Sequence, residues 1–330
     1  MFQSSARAIA WLCIVLPLFA SAPARAAVKE ERIDVGGYKL NSVFIPASGK
    51  PSLPPIVFIH GASANLYDPM FSFREKLEGK ADLLFVDRPG HGHSDRGGPQ
   101  NAFPDGQADA IAALMKKRGI GRAIIVSHSF GGAVAAAFAL GHPDMVAGLV
   151  FLSPAVYPWP GGIAWYYDAA TAPVTGPLFS ALVVPPVGLA MVNGATNSVF
   201  APNKRPPGYI SKARTLLALR PAEFYNNATD VANLLEWTKK ASLRYRQIKA
   251  PTIIITGDTD SVVSPTIHSA HLARDIKSAR LIVVHNLGHK SDYVARDLAV
   301  AAIETLGGKR RDLREITLAI EAHIAGDGKK

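Results

Sequence analysis

The chain of 330 residues is 48% hydrophobic, carries both signs of charge and has no low-complexity tract, so it can bury a substantial core as one large domain with an insertion or as two domains. Its formal net charge is +10, with lysines and arginines scattered apart from Lys309-Arg310-Arg311; this fits a solvated basic surface, or peripheral contact with anionic lipids or substrates, and no segment resembles a nucleic-acid-binding motif. Cys13 is the only cysteine, which excludes a disulfide, a thiolate nucleophile and a thiolate metal site from the remainder of the chain.

Arg7 precedes the apolar run IAWLCIVLPLFA, and APARAA then offers small residues at Ala24 and Ala26. This predicts a secretory signal peptide over residues 1–26, cleaved near Ala26. The apolar core at 8–20 is short for a membrane span, and Pro17 interrupts it. Export to a periplasm or to the medium follows, with retention as an N-terminal anchor the alternative. Cleavage removes Arg7 and Arg25 and lowers the net charge from +10 to +8.

The next stretch, ERIDVGGYKLNSVFIPA, alternates apolar and polar residues around Gly36-Gly37, the pattern of a β-hairpin with one buried face. PPIVFIH (54–60), DLLFVD (82–87), AIIVSHS (123–129), GLVFLSP (148–154), PTIIITGD (251–258) and ARLIVVHN (279–286) are short continuous apolar runs, as expected of strands covered on both faces. Segments of helical spacing, such as PMFSFREKLEG, GQADAIAALMKKRG and AVAAAFALGHP, separate most of them. Strand and helix in alternation predict the α/β class, with a mainly parallel sheet, helices on both faces and an antiparallel lead-in.

Residues 157–247 interrupt this rhythm with proline-rich turns, clustered aromatics (Trp159, Trp165, Tyr166, Tyr167) and helical patterns such as YISKARTLLAL and ATDVANLLEWTKK. A structureless connection of that length is improbable, so the stretch predicts an inserted, largely helical cap. The core is then formed by residues 27–156 and 248–330. Its C-terminal part ends in two helical patterns, DYVARDLAVAAIETL and RRDLREITLAIEAHIA, separated by a Gly-Gly break.

IIVSHSFGGAVAAAF (124–138) passes from a β-branched run through Ser129 into small residues at helical spacing. A strand running directly into a helix forces a strained backbone on the turn residue and lifts its side chain above the sheet, where open α/β sheets bind ligands. Ser127, Gly131 and Gly132 supply the small neighbours that such a turn needs. The Phe130 amide, at the helix N-terminus, points toward an anion forming near Ser129. A serine nucleophile needs a base, and the base an acid to orient it. Both are offered after later strands, in ITGDTDSVVSP and in NLGHKSDY, giving the chain order Ser129, Asp260, His289.

These residues, with HGAS (60–63), DRPGHGHSD (87–95), SHSFGG (127–132), GDTDSVVSP (257–265) and GHKSDY (288–293) in order after predicted strands, resemble the α/β-hydrolase superfamily in its capped Ser-His-Asp form. The resemblance covers essentially everything after residue 26. It implies a second oxyanion donor at the Ala62 amide, beside that of Phe130, and places the acid three residues after Gly257, at Asp260. Asp258 competes for that role or shapes the loop. Leu152-Ser153-Pro154, where some relatives carry the acid, holds no carboxylate. Ser127 stands where the family has glycine. Among the other histidines, His60 is expected to support the oxyanion loop, His91 and His93 to brace the loop after the fourth strand, and His128 to line the pocket, while His285 is a weaker candidate for the base.

The implied chemistry is acyl transfer from a carboxylic ester to Ser129 and then to water, with no metal or organic cofactor required; no HExxH-type spacing suggests a metal site. The aromatic and aliphatic content of the insertion predicts an apolar pocket for a small-molecule ester. Carbon–carbon hydrolysis or perhydrolysis on the same residues is one alternative. An exported, non-catalytic binding protein for an apolar ligand is another.

Overall fold

The computed structural model describes residues 28–327, so the signal peptide expected over 1–26 lies outside the described residues. The hairpin forms as β1 (Glu30–Asp34) and β2 (Lys39–Ile45). The Asp34 carboxylate closes its turn by accepting the Gly36 and Gly37 amides at 2.9 and 3.1 Å. The apolar runs become β3 (Ile56–Ile59), β4 (Leu83–Val86), β5 (Ala123–His128), β6 (Val146–Leu152), β7 (Thr252–Gly257) and β8 (Ala279–Val284). Among the described residues the eight strands make one sheet in the order β1-β2-β4-β3-β5-β6-β7-β8, with β1 and β2 antiparallel and the others parallel.

Helices cover both faces, which is why every residue of β3, β4, β5 and β7 is buried. Along β3 the pleat sends Ile56 and Phe58 into one core, with helix α1 (Tyr67–Leu77), and Val57 and Ile59 into the other, with α2 (Pro104–Lys117) and α3 (Phe130–Gly141). β8 departs from the sequence expectation of a strand covered on both faces. It is the last strand of the sheet and only half covered, with Val284 its one buried residue.

Between β6 and β7 the described chain is helical, with α4 (Trp165–Thr171), α5 (Gly176–Phe200) and α6 (Pro221–Ala241). Two details differ from the sequence pattern. Pro185 and Pro186 mark no turn: they fall in the first α-turn after a π-helical turn at Phe179–Val183, where missing amides cost little. YISKARTLLAL is not one helix, because the Asn65 side-chain amide donates to the Ala213 and Arg214 carbonyls at 3.1 and 3.2 Å and Arg214 adopts φ 48°. Further core helices are α7 (Ser269–Asp275), α8 (Arg296–Leu306), which follows a short helical turn at Ser291–Val294, and the terminal α9 (Leu313–Asp327).

Helix α6 is fixed to the core through a buried charge cluster. Asp230 on α6 accepts hydrogen bonds at Oδ2 from Arg88 Nη1 (2.9 Å), His91 Nε2 (3.0 Å) and Gln107 Nε2 (2.8 Å), and Arg96 lies 2.7 Å from Oδ1. Burial pulls the Arg88 guanidinium down to about 10, opposed by the Asp230 carboxylate. Burial would raise Asp230, but His91, Arg88 and Arg96 together hold it below the ordinary carboxylate value. Because Arg88 is fully buried, Asp230→Ala strands a cation in the core and is expected to cost about 3–5 kcal/mol of folding stability. Chemical denaturation measures it, and a loss below about 1 kcal/mol would show that the cluster does not hold α6.

Candidate active site

The chain leaves β3 toward β4 on one side of the sheet, and β5 lies on the other. The carboxyl ends of β3 and β5 therefore flank the crevice where the winding reverses, the place where open α/β sheets bind ligands. His60-Gly61-Ala62-Ser63 follows β3, and Ser129 follows β5.

Ser129 sits at φ 53°, ψ −121°, an unfavourable conformation for a side chain with a Cβ. Three hydrogen bonds hold it there: its amide donates to Leu152 O (3.0 Å), and its carbonyl accepts from Gly132 (2.9 Å) and Ala155 (3.0 Å). A Cβ at Gly131 would lie 2.5 Å from the Ile59 carbonyl, so only glycine lets α3 approach β3 this closely. Ser127 is accommodated with its hydroxyl turned to Val150 O at 3.4 Å.

His60 and Arg88 shape the loop opposite. The Gly61 carbonyl accepts from His60 Nδ1 (2.9 Å) and from Arg88 Nη2 (3.0 Å), while His60 Nε2 accepts the Arg88 amide at 3.0 Å. Burial holds His60 well below its ordinary value, consistent with this neutral, donor-and-acceptor ring. In a trans peptide the carbonyl and the following N–H point in opposite directions. Anchoring Gly61 O inward therefore turns the Ala62 amide outward, and neither it nor the Phe130 amide has an acceptor among the described residues. The insertion reaches this loop as well. Asn227 on α6 accepts the Ser63 amide at Oδ1 (2.7 Å) and donates to Ser63 Oγ (3.1 Å), and Tyr167 on α4 lies 3.5 Å from the same hydroxyl.

Asp260 and His289 are brought together from loops after β7 and β8. The Leu287 carbonyl accepts from the Thr259 amide (3.2 Å) and hydroxyl (2.8 Å), joining the two loops. Asp260 Oδ1 accepts the Val262 and Val263 amides, each at 2.9 Å, and Oδ2 accepts His289 Nδ1–H at 2.8 Å. Both side chains are buried. Asp258, the competing acid, instead pairs with exposed His285 at 2.6 Å and accepts the Asn286 amide at 2.8 Å. Ser129 Oγ makes no hydrogen bond to His289 among the described residues; the link between their loops runs through His128, whose ring lies 4.8 Å from that of His289 and whose Nε2 donates to the His289 carbonyl at 3.0 Å. Burial holds His128 well below its ordinary value, with the Lys290 charge adding to the effect.

A second buried charge cluster, with no signal in the sequence, is centred on Lys290, the residue after His289. Lys290 Nζ lies 2.9 Å from both Asp68 Oδ2 and Asp292 Oδ2, all three buried. Burial would lower Lys290, but Asp292 and Asp68 outweigh it and hold the amine well above its ordinary value. Asp68, His128 and Asp292 bring three ligand-type atoms together, but the Lys290 ammonium already supplies their positive charge. Neither Arg88–Asp230 nor Lys290–Asp68 had a signal in the sequence, since their partners are 142 and 222 residues apart. A separate cleft of about 1050 Å³ lies between α9 and residues 202–206 and contains none of these residues.

A family described by the α/β-hydrolase fold matches residues 54–291. The lipase LipV of Mycobacterium tuberculosis is 48% identical over 67 residues, 20% of this chain and 25% of its own length. A 2-(acetamidomethylene)succinate hydrolase of Mesorhizobium japonicum is 32% identical over 122 residues, 36% of this chain and 40% of its own. The chain thus matches less than half the length of these relatives. Monoacylglycerol lipase abhd6-A of Xenopus laevis is 25% identical over 246 residues, 73% of this chain and 72% of its own. In fold, an esterase of Thermogutta terrifontis superposes with TM-score 0.65 at 20% identity, covering 88% of this chain and 99% of that one.

Next to Asp260, His268 accepts the Val156 and Tyr157 amides at Nδ1 (3.2 and 3.0 Å). Burial lowers it from 6.5 to about 4. Between those values the unfolded chain takes up a proton that the folded chain refuses, so this ring's contribution to stability is lost as pH falls from 6.5 toward 4, by about 3 kcal/mol in all. His268→Asn keeps an acceptor for the two amides. Its melting temperature should decline less steeply than the parent's across that window, and parallel slopes would contradict the assignment.

Proposed function

This chain belongs to the α/β-hydrolase family, and on that premise we propose that it is a serine hydrolase cleaving carboxylic esters of apolar groups through an acyl-enzyme. The observation that carries the reading is the buried Asp260–His289 pair at 2.8 Å, at the same end of the sheet as a serine held at φ 53°. With Nδ1 engaged by Asp260, His289 keeps Nε2 for the proton of Ser129 Oγ. Unliganded catalytic hydrogen bonds are commonly long and tighten around substrate.

Ser129 Oγ attacks the ester carbonyl as His289 Nε2 takes its proton, and negative charge collects on the carbonyl oxygen. The amides of Ala62 and Phe130 bind that oxygen, a contribution of several kcal/mol across such a pair. His289 returns the proton to the departing alcohol. Water, deprotonated by the same nitrogen, then releases the acid and restores Ser129. Asp260 keeps the imidazole in the required tautomer throughout.

Ser129→Ala should abolish labelling by a fluorophosphonate probe and lower hydrolysis of p-nitrophenyl butyrate on the order of 10³-fold or more. Asp260→Asn should also reduce kcat strongly, whereas Asp258→Asn should leave it within about a factor of three of the parent. Retained turnover in the serine variant would refute the reading. An inert parent that binds the ester without turnover would assign the chain to ligand binding, and preference for a vinylogous diketone would favour carbon–carbon hydrolysis.

A further inference from the structure

Helix α5 runs for 25 residues, Gly176–Phe200, without a charged side chain. It is nevertheless mostly uncovered: 11% of its most apolar stretch is buried, and Leu178, Leu182, Leu189 and Met191 are each about 60–70% exposed. Trp165 on α4, 70% exposed, stands edge-on to Phe179 at 6.1 Å and extends the same apolar surface. Soluble chains rarely leave so continuous an apolar surface in water unless something covers it.

The charge around the helix identifies the cover. From residue 169 to residue 222 there is no Asp or Glu, while Lys204, Arg205, Lys212, Arg214 and Arg220 all fall in that stretch. Arg214 and Arg220 are paired with Glu30 and Glu223. Lys204, Arg205 and Lys212 have no ion pair among the described residues, and Arg205 Nη2 lies 3.1 Å from Asn193 on α5 itself. A second copy of the chain brought face to face would set these cations against one another. Lys204 Nζ donates to the Asp327 carbonyl at 3.0 Å and Lys212 Nζ stands 4.9 Å over the Phe71 ring, so neither charge is neutralised within the chain; an anionic lipid surface neutralises them and accepts the exposed apolar residues of α5.

We propose that α5, with Trp165, docks the protein on an anionic lipid surface, lying in the plane of the headgroup–acyl boundary. At about 1.5 Å per residue the helix is long enough to span a bilayer, but its attachments keep it on the surface. Phe200 at its end is buried against Tyr209 and Tyr293 (4.9 and 5.6 Å between ring centroids), and Gly188 packs on Leu219. A helix tied to a neighbouring segment at its middle and to the core through Tyr293 at its end inserts one side. The docking does not depend on the ester chemistry. Its consequence does rest on that reading: Tyr167, two residues after Trp165, touches the Ser63 loop, so apolar esters held in the lipid would lie beside the site.

The test is flotation of the full chain with vesicles of phosphatidylcholine alone or of phosphatidylcholine with phosphatidylglycerol, compared with Leu182→Glu/Leu189→Glu. Both positions are exposed, and the apolar segment at 8–20 is common to parent and variant. The parent should bind the phosphatidylglycerol vesicles more tightly and lose that preference with added salt. The double variant should bind them on the order of tenfold more weakly, with the same melting temperature and unchanged p-nitrophenyl butyrate hydrolysis. Lys204→Ala/Lys212→Ala should reduce binding to the anionic vesicles alone. Equal flotation of the parent and the Leu182→Glu/Leu189→Glu variant overturns the docking, as does a dimer in sedimentation velocity that this variant abolishes while vesicle binding is absent. Loss of vesicle binding in an enzyme that still hydrolyses ester separates this failure from failure of the catalytic reading.

Discussion

A guanidinium with no access to water is costly to place anywhere in a protein, and Arg88 is placed at the junction of four elements. It donates to Gly61 O in the loop after β3, to Gln107 on α2 and to Asp230 on α6, and its plane lies 4.5 Å from the ring centroid of Phe130, the residue after the strained serine. Each neighbour satisfies a different donor or the face of the same rigid fork. Shifting any one of them weakens the pairing of a buried charge, so one side chain links the positions of the loop after β3, the serine turn and α6. Apolar packing of similar volume could match its stability but would not impose direction.

The groups proposed to react are held in the same manner, from below. The Ala62 amide is aimed by what happens to the carbonyl before it. The Ser129 backbone is kept in its unfavourable region by bonds to Leu152, Gly132 and Ala155. His289 donates to Asp260 from one nitrogen and is followed in the chain by Lys290, whose ammonium is locked between Asp68 and Asp292. None of these supports needs a ligand to form, which is the condition for electrostatic preorganisation: the dipoles are in place before charge develops.

The sequence made the fold legible because strand and helix alternate with unmistakable periods and because Ser127-His128-Ser129-Phe130-Gly131-Gly132 can hardly be read as anything but a turn under compression. The resemblance preferred Asp260 to Asp258, and the two carboxylates have different partners, buried His289 for one and exposed His285 for the other. Other features were hidden for stated reasons. β8 has the composition of a covered strand, but its edge position is a property of the whole sheet. The prolines of α5 read as breakers until a π-turn places them in a first turn. Arg88, Asp230, Asn227 and Lys290 look like ordinary polar residues, since a charge's partner is chosen by the fold and leaves no periodic trace.

Asn227 and Asp230 show why the insertion carries polar groups on its inner side and apolar ones on its outer side. Three residues apart on α6, they share one face. Asp230 fixes the helix to Arg88, and Asn227 holds the Ser63 amide and hydroxyl. Sliding α6 by one turn, about 5.4 Å, would break both attachments together. An apolar seam tolerates such a slip far better, because one methyl group replaces another in contact. The inner face therefore needs directional bonds to keep register with the Ala62 amide, while the outer face, along α5, has no register to keep. Area and charge suffice there, and those are the two properties that the sequence from 169 to 222 retains.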